Sequence, residues 1–445
     1  MKGIRYFYLS LTACVVFFVL LLSGRIIVVQ GETHDCVTWL FCKESFTFAN
    51  ANDWIHHLHR ALTLFAGILL LILLFQTWRT QREQTPIMVS GTMAAVLFLA
   101  QVLMGIHEVE RGYPDYLRLL HGLTALGVWT ALAVQTVFAW QRSGATAVEV
   151  KESIHERRGF GQVIGDYLML TKPIVVALLL VTTLAGMVVG AGRLPDMATV
   201  FWVLLGGAMA AGGSSAINQY IDRYDDEKMQ RTSRRPIPSR RISPAEGLTF
   251  GVALAGASFY IMVVFVNWLA ALLTLTGMVY YVLIYSLLLK KTTVQNIVIG
   301  GGAGAIPPLV GWAAATGHLN IPALFLFAIV FLWTPPHFWA LALVRRKDYA
   351  RAGIPMLPVV RGERETRWQI FVYTIELVLL TLFLPLFGLG GAIYLVAAIF
   401  LGSFLLFSAW RVWRKGGNKL AWKMYHHSSM YLALLFIALI ADALL

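Results

Sequence analysis

The chain has 445 residues, 58% of them hydrophobic, and its mean hydropathy of +0.69 excludes an ordinary soluble globular protein. Its net charge of +13 would suit nucleic acid, but the basic residues occupy alternate loops instead of one patch. This placement predicts that the partner is a lipid bilayer, and that no nucleic acid is bound.

Apolar runs of about 20 residues recur along the chain, and each is long enough to cross a bilayer as a helix. They predict an all-α polytopic membrane protein with about 13 transmembrane helices. The predicted spans are 6–29, 54–76, 87–106, 117–140, 172–192, 199–221, 245–265, 268–289, 294–315, 320–343, 368–388, 390–411 and 423–444.

The longest polar interruption runs from Gln141 to Asp166 and separates the fourth predicted span from the fifth. We therefore predict a four-helix module at 1–145, a cytoplasmic linker at 146–166 and a nine-helix module at 167–445. Because basic loops face the cytoplasm, we expect the amino terminus inside and the carboxyl terminus outside a bacterial inner membrane.

Two pairs of residues draw attention to the outer end of the first module. Cys36 and Cys42 lie in the first outer loop, where an oxidising compartment permits a disulfide, and two unpaired thiols are the alternative. His59 and His121 lie at similar depth near the outer ends of the second and fourth spans. Two histidines that face each other across a bundle can ligate haem iron, and ordinary interhelical hydrogen bonds are the alternative.

A densely charged segment at 218–235 follows the sixth span. Helical spacing puts Asn218, Asp222 and Asp226 on one face, and Asp225 lies beside it. Mg²⁺ is commonly held by one or two carboxylates together with substrate phosphates. Basic side chains that suit phosphate oxygens follow at Lys228, Arg231, Arg234 and Arg235. The segment predicts a site for a metal-bound diphosphate, and a solvated loop that only anchors a helix is the alternative.

A second polar cluster falls on the same predicted membrane face. Pro335 and Pro336 are expected to interrupt the helix near the cytoplasmic end of a span, and the backbone groups that they free need partners or a cavity. His337 and Asp348 follow them. Polar residues at this depth indicate a site, whereas a histidine that merely caps a kinked helix is the alternative.

Several strings resemble the protohaem IX farnesyltransferases, the haem branch of the UbiA prenyltransferase superfamily. They lie at 170–173, 182–186, 218–241, 295–300, 304–308 and 333–358. The Thr-Pro-Pro-His-Phe-Trp string that begins at Thr334 is particular to that branch. The resemblance implies that the farnesyl group of farnesyl diphosphate is transferred to a vinyl group of haem b, giving haem O and diphosphate. The active site is then expected at the cytoplasmic face.

The resemblance also implies roles for individual residues. Asn218, Asp222 and Asp226 match the first aspartate motif, which holds Mg²⁺ through the diphosphate. Asp225 departs from the commonest form of that motif and is expected as an additional metal contact. Asp348 resembles a reduced second motif. The catalytic residues implied are Asn218, Asp222, Asp226, Lys228, Arg231, Arg235, His337 and Asp348.

The first module resembles half of haem A synthase, whose family consists of two similar four-helix bundles. The strings at 24–31, 36–42 and 59–60 carry this likeness, which implies that His59 and His121 ligate haem. His56 stands where that family has a glutamate, and the second half is missing. We therefore expect either a haem-binding accessory module or half of an enzyme, completed by haem A synthase or by a second copy of this chain.

Two other functions compete with this interpretation. Another UbiA-type aromatic prenyltransferase would share the aspartate motif, but the strings around His337 argue against it. A haem or metabolite transporter would share the many spans, but the charge clusters lie at the inner interface and no inverted repeat is found.

Overall fold

The computed structural model describes residues 2–29, 51–81, 84–110, 115–143 and 159–445, and within these ranges the chain is helical without strands. Thirteen helices of this part are long and apolar enough to cross a membrane. The prediction of an all-α polytopic membrane protein is therefore confirmed. Cys36, Cys42 and residues 144–158 lie outside the described residues, so the disulfide and most of the linker stay predictions.

The chain divides into two compact units. Unit 1 consists of Met1–Ser153 and Leu248–Tyr260, and unit 2 consists of Ile154–Gly247 and Ile261–Leu445. The division into four and nine helices stays a prediction.

Unit 1 contains four long helices: α1 (Lys2–Val29), α2 (Ala51–Thr80), α3 (Thr85–Glu110) and α4 (Asp115–Ser143). A buried polar cluster joins three of them. The Gln135 Nε2 atom of α4 donates hydrogen bonds to Tyr6 Oη of α1 at 2.7 Å and to Thr77 Oγ1 of α2 at 2.9 Å. Such interhelical hydrogen bonds fix the alignment of helices whose other contacts are apolar.

Unit 2 contains the remaining helices, apart from the part of α9 that groups with unit 1. In chain order they are α5 (Phe160–Thr171), α6 (Pro173–Ala191), α7 (Met197–Ile221), α8 (Arg223–Lys228), α9 (Pro244–Phe265), α10 (Trp268–Val279), a π-helix (Tyr280–Leu289), α11 (Asn296–Thr316), α12 (Ile321–Val344), α13 (Arg346–Arg351), α14 (Leu357–Val360), α15 (Gly362–Phe383), a short 3-10 helix (Leu384–Phe387), α16 (Ala392–Lys415) and α17 (Asn418–Leu444). Residues 160–166, predicted as linker, are therefore the first half of α5.

Glycines let α6 and α11 pack backbone against backbone. A Cβ atom added at Gly186 would overlap the carbonyl group of Pro308, and one at Gly311 would overlap the carbonyl group of Thr183. Near the start of α11, Gly300 lies against the ring of Tyr285 in the π-helix. The glycine-rich stretch of α11 is thus a packing surface that sets the position of the π-helix.

The two prolines of α12 do not break it. The helix continues from Ile321 to Val344, with Pro335 and Pro336 buried inside it. The interruption predicted from the sequence is wrong because neighbouring helices can hold a membrane helix together despite the missing N–H groups. His337 therefore lies on a regular helix.

Candidate active site

The acidic residues predicted as a site lie where α7 ends and α8 begins. Asn218 is on the last turn of α7, and Asp222 joins the two helices. Asp225 and Asp226 belong to the first turn of α8. The Asn218 Nδ2 atom donates a hydrogen bond of 2.7 Å to Asp222 Oδ2. All four side chains are buried, so the structure brings these polar groups together away from water.

Each of the three carboxylates has a basic partner. The ion pairs are Lys290 with Asp222, Lys291 with Asp225 at 2.6 Å, and Arg235 with Asp226 at 2.7 Å. Buried carboxylates are tolerated because the positive charges offset the cost of removing them from water. The same arrangement puts three cations beside three anions, which is what a site for a metal and a diphosphate requires.

The carboxylates of this site fit Mg²⁺ only if substrate phosphates supply the remaining ligands. Among the described residues, no three His, Cys, Asp or Glu side chains converge as a metal-ligand set. However, Asp222 Oδ1 is buried and accepts no hydrogen bond. One or two carboxylates that share the ion with substrate phosphates are the usual Mg²⁺ arrangement, and this site matches it.

Lys172 also belongs to the site, although the sequence analysis does not predict it. It joins α5 to α6 in the left-handed conformation, with φ of 53°, which is uncommon for a residue other than glycine. Its Nζ atom donates hydrogen bonds to Asn218 Oδ1 at 3.2 Å and to Tyr281 Oη at 3.4 Å. Burial, and then the charge of Arg235, lowers the pKa of this amine from 10.5 to about 7, although Asp222 opposes the shift.

The π-helix supplies the opposite wall of the site. Its wider turn is visible where the backbone N–H of Lys290 donates to the carbonyl oxygen of Tyr285, five residues earlier, at 2.9 Å. The side chain of Ser286 donates to the carbonyl oxygen of Tyr281 at 2.8 Å. Ser286 Oγ in turn accepts from Asn218 Nδ2 at 3.0 Å, and Tyr281 Oη donates to Asn218 Oδ1 at 3.3 Å. π-helical turns are rare and often occur at functional sites, and this one directs Lys290 toward Asp222.

The sequence held weak signals for these missed residues. Lys172 lies in one of the strings that carry the family resemblance, but no role followed from it. Lys290 and Lys291 belong to the basic loops that indicate the cytoplasmic side, and the sequence suggests no other role for them. Neither the π-helix nor the contacts of Tyr281 and Ser286 leave a periodicity in the sequence that could have been recognised.

The basic residues at the end of α8 and after it differ in their contacts. Arg235 reaches Asp226, whereas the positive charge of Arg231 acts on Tyr349. Lys228 is exposed, and its carbonyl oxygen accepts a hydrogen bond of 3.5 Å from Arg351. Of the predicted phosphate-binding residues, Arg235 is therefore the one that lies directly against the carboxylates.

The α13 helix joins the second predicted cluster to the first. Asp348 is buried, and its Oδ1 atom lies 3.9 Å from Arg351, which also donates a hydrogen bond to Lys228, the last residue of α8. Next to it, burial raises the pKa of Tyr349, and the positive charges of Arg231 and Arg235 oppose the shift. Asp348 thus approaches the carboxylate cluster by way of Arg351.

His337 lies deep among aromatic rings. Its imidazole stacks on Trp333 at 4.2 Å and on Tyr425 at 4.5 Å, measured between ring centroids. Its Nδ1 atom lies 2.7 Å from Ser428 Oγ. Trp333, His337 and Tyr425 therefore form one stacked aromatic group.

In unit 1, His59 and His121 both lie against glycines. A Cβ atom added at Gly24 of α1 would stand 3.2 Å from the His59 ring, and one at Gly105 of α3 would stand 3.0 Å from the His121 ring. His59 Nδ1 lies 2.8 Å from Ser23 Oγ, and His121 Nδ1 lies 3.6 Å from Glu108 Oε2.

Comparison with known proteins defines the class. Residues 179–438 match the model of the UbiA prenyltransferase family, and the chain belongs to this family of membrane prenyltransferases. The chain is 42% identical over 454 aligned residues to a protein called Protoheme IX farnesyltransferase from Roseiflexus sp. (strain RS-1), covering 98% of this chain and 84% of that one. The resemblance inferred from the sequence strings is thereby confirmed.

Two further similarities are consistent with this family. The chain is 49% identical to the Protoheme IX farnesyltransferase of Trichodesmium erythraeum (strain IMS101), over 64% of this chain and 87% of that one. Among solved structures, one described as digeranylgeranylglyceryl phosphate synthase matches 63% of this chain and 98% of its own, with a TM-score of 0.53 at 16% identity. At that identity the match supports the fold alone.

Proposed function

We propose that this chain is a protohaem IX farnesyltransferase: the terminal carbon of a vinyl group of haem b bonds to the farnesyl carbon of farnesyl diphosphate as diphosphate leaves, and water adds to the other vinyl carbon and loses a proton, giving haem O. The observation that carries the proposal is the buried cluster in which Asp222, Asp225 and Asp226 each pair with a lysine or arginine. The curated relatives of similar length that carry this name give the acceptor.

The chemistry of the transfer explains why both signs of charge are needed. When the allylic carbon–oxygen bond breaks, the electron pair stays on the diphosphate and positive charge develops on the farnesyl carbon. Mg²⁺, held by Asp222 and Asp226 with Asp225 beside them, would neutralise part of the leaving group's charge. Lys290, Arg235 and the neighbouring cations donate to its oxygens and keep the leaving group oriented.

The acceptor belongs on the His337 side. Trp333 and Tyr425 stack on His337 and give this side of the site an apolar aromatic lining of the kind that a porphyrin contacts. Either the haem iron or a propionate would meet the histidine. His337→Ala is therefore expected to raise the Michaelis constant for haem b more than that for farnesyl diphosphate. An increase for farnesyl diphosphate alone would refute this assignment.

Product analysis tests the proposed reaction. Purified chain, farnesyl diphosphate and Mg²⁺ are incubated with haem b or with 4-hydroxybenzoate, and products are identified by mass spectrometry. We expect farnesylated haem from the first mixture only. A prenylated benzoate would indicate another aromatic prenyltransferase, and haem uptake by proteoliposomes without any product would indicate a transporter.

We further propose that the transferase activity resides in residues 167–445 at the cytoplasmic face of the inner membrane, with the amino terminus inside and the carboxyl terminus outside. The basic loops on one side of the spans support this orientation. Fusing a reporter that is active only in the cytoplasm to each terminus tests it, because only the amino-terminal fusion should be active.

A second activity is proposed for the amino-terminal module at 1–145: His59 and His121 bind one haem. Ser23 Oγ donates its hydrogen to the Leu20 carbonyl at 2.8 Å, so it accepts from His59 Nδ1–H and leaves Nε2 of His59 with a lone pair for iron. Whether haem A synthase or a second copy completes the module is tested by co-purification of differently tagged chains.

A further inference from the structure

Hydrogen bonds around His337 determine which of its nitrogens carries the proton. Ser428 Oγ donates its only hydrogen to the Tyr425 carbonyl oxygen at 2.9 Å. It can therefore interact with His337 Nδ1, 2.7 Å away, only as an acceptor. The neutral imidazole is thus protonated at Nδ1, and its Nε2 atom carries a lone pair.

The same contacts prevent the ring from adopting another orientation. Ser428 is fully buried, and its carbonyl oxygen accepts a hydrogen bond of 2.7 Å from Trp333 Nε1, one turn before His337 on α12. Trp333 and Tyr425 both stack on the imidazole, and two nearly parallel rings so close cannot share one of its faces. With both faces covered, only the edge of the imidazole can meet a ligand.

We infer that Ser428 is a positioning residue that holds His337 with the Nε2 lone pair available for the iron of the haem acceptor. This inference rests on the proposed function. It separates the two ligand chemistries, because a propionate carboxylate needs an N–H donor and would meet a lone pair here, whereas a metal ion requires that lone pair. A hydrogen-bonded Nδ1–H is also the usual support of an iron-binding histidine.

Coordination of the iron by His337 fixes the position of the porphyrin in the site. A porphyrin held only by apolar contacts and flexible propionates can rotate in its plane, whereas a ligated iron restricts which edge approaches the farnesyl carbon. The Ser428 hydroxyl then acts through His337 and touches neither substrate. Its loss is expected to affect recognition of the metal in the acceptor before it affects binding of the diphosphate.

Haem binding without farnesyl diphosphate provides the test. Full-length chain carrying His59→Ala and His121→Ala, which removes the proposed amino-terminal haem site, is titrated with haem b and with metal-free protoporphyrin IX. Protoporphyrin IX keeps both propionates but has no iron. We expect haem b to bind at least about tenfold more tightly, which corresponds to about 1.4 kcal/mol.

Variants of Ser428 supply the second readout. Ser428→Ala should weaken haem b binding and shift its Soret band, leave protoporphyrin IX binding unchanged, and be rescued by Ser428→Thr, which restores a hydroxyl. Ser429→Ala is the matched control, because Ser429 Oγ also donates to the Tyr425 carbonyl, at 3.2 Å, but is not bonded to His337. This control should bind both porphyrins as the parent chain does.

Equal affinity of the parent chain for both porphyrins would overturn the inference, and so would an unchanged haem spectrum in Ser428→Ala. If Ser428→Ala does not fold, the parent comparison and Ser428→Thr still decide. Farnesyl transfer by the unaltered chain is measured separately. If no farnesyl transfer is found but the spectra are as expected, the proposed function is rejected and the assigned tautomer of His337 stands. If product forms but both porphyrins bind equally, only the inference is rejected.

Discussion

Lys290 forms an ion pair with Asp222, although the two residues are 68 positions apart in the chain. Asp222 follows the last residue of α7, and Lys290 follows the last residue of the π-helix. Asp222 is 2% exposed and Lys290 is 14% exposed, so neither charge is well hydrated. Removing one partner leaves the other without compensation in a low-dielectric environment.

We therefore expect Lys290→Met to lower the free energy of unfolding by about 3–5 kcal/mol, as measured by thermal unfolding in detergent. Lys291→Met is the matched control. Lys291 is 52% exposed, so its pair with Asp225 is partly hydrated and the loss should be smaller than for Lys290→Met.

A double variant separates stability from activity. Asp222→Asn in the Lys290→Met background removes the uncompensated charge, so most of the lost stability should return while farnesyl transfer stays absent. If the double variant were no more stable than Lys290→Met alone, the destabilisation would have a cause other than the buried carboxylate.

The proposed metal contact predicts a large kinetic effect. Asp222→Ala and Asp226→Ala should each lower kcat by on the order of 10²–10³, because one electrostatic contact to the leaving group is lost. Glu227→Ala, an exposed carboxylate of the same short helix, should retain normal activity. Membrane insertion is checked by fluorescence-detected chromatography. Near-normal turnover by both aspartate variants, or activity that survives EDTA, would exclude the metal role.

Local periodicity made the acidic cluster predictable, whereas its partners were not. Asn218, Asp222 and Asp226 follow each other at intervals of four residues, and backbone hydrogen bonds from Asp222 to Asn218 and from Asp226 to Asp222 keep this spacing across the junction of α7 and α8. Their proximity therefore needs only local geometry. Lys172 and Tyr281 reach Asn218 from 46 and 63 positions away, and such contacts depend on how separate helices pack. The hydropathy pattern gives the number of spans but not which of their faces meet.

The general rules for span length and for proline in helices do not predict two further local features. The α5 helix is 12 residues long, too short for the length rule that identifies membrane spans, so half of it was assigned to the linker. Pro335 and Pro336 predict a break in water-soluble helices, but in α12 they are buried among neighbouring helices and the helix continues.

Close packing of α6 on α11 predicts that the stability of the protein depends strongly on the glycines between the two helices. Gly311→Ala would bring a Cβ atom into the Thr183 carbonyl group, so the helices must separate or shift. We expect a loss of about 1–3 kcal/mol or more. Gly304→Ala on the same helix has open space around its Cβ atom and should be neutral or more stable by about 0.5–1 kcal/mol. Thermal unfolding compares them, and similar midpoints for both variants would contradict the packing argument.

The lowered pKa of Lys172 predicts that diphosphate binding depends on pH. In the substrate-free site the pKa of its amine is lowered to about 7, so much of it is neutral at slightly alkaline pH. A bound diphosphate favours the charged form and raises that pKa, so binding takes up a proton and affinity should fall as pH rises from about 7 to 9. Lys172→Arg stays charged throughout this range.

The arginine variant also removes a complication, because diphosphate itself titrates in this range. Calorimetric binding of inorganic diphosphate with Mg²⁺ is measured at pH 7 and pH 9 for both chains, and the difference between their slopes isolates Lys172. We expect a steeper loss of affinity in the unaltered chain. Identical slopes would show that Lys172 does not change its protonation when diphosphate binds.

The last prediction concerns the proposed haem in unit 1. In full-length chain carrying His337→Ala, which removes the proposed acceptor ligand, bound haem should give a low-spin spectrum because two imidazoles ligate the iron. His59→Ala or His121→Ala should abolish that spectrum. His107→Ala, an exposed histidine of α3, is the control and should leave it unchanged.

Ser23 extends this test, because its hydroxyl supports Nδ1 of His59 through the same kind of hydrogen-bond relay that Ser428 provides for His337. Ser23→Ala should weaken haem binding by about 10–100-fold, the usual effect of losing the partner of a metal-bound histidine, and Ser23→Thr should restore it. An inserted, folded protein that never acquires low-spin haem would leave His59 and His121 with interhelical contacts as their role. It would also confine the haem chemistry of this chain to unit 2.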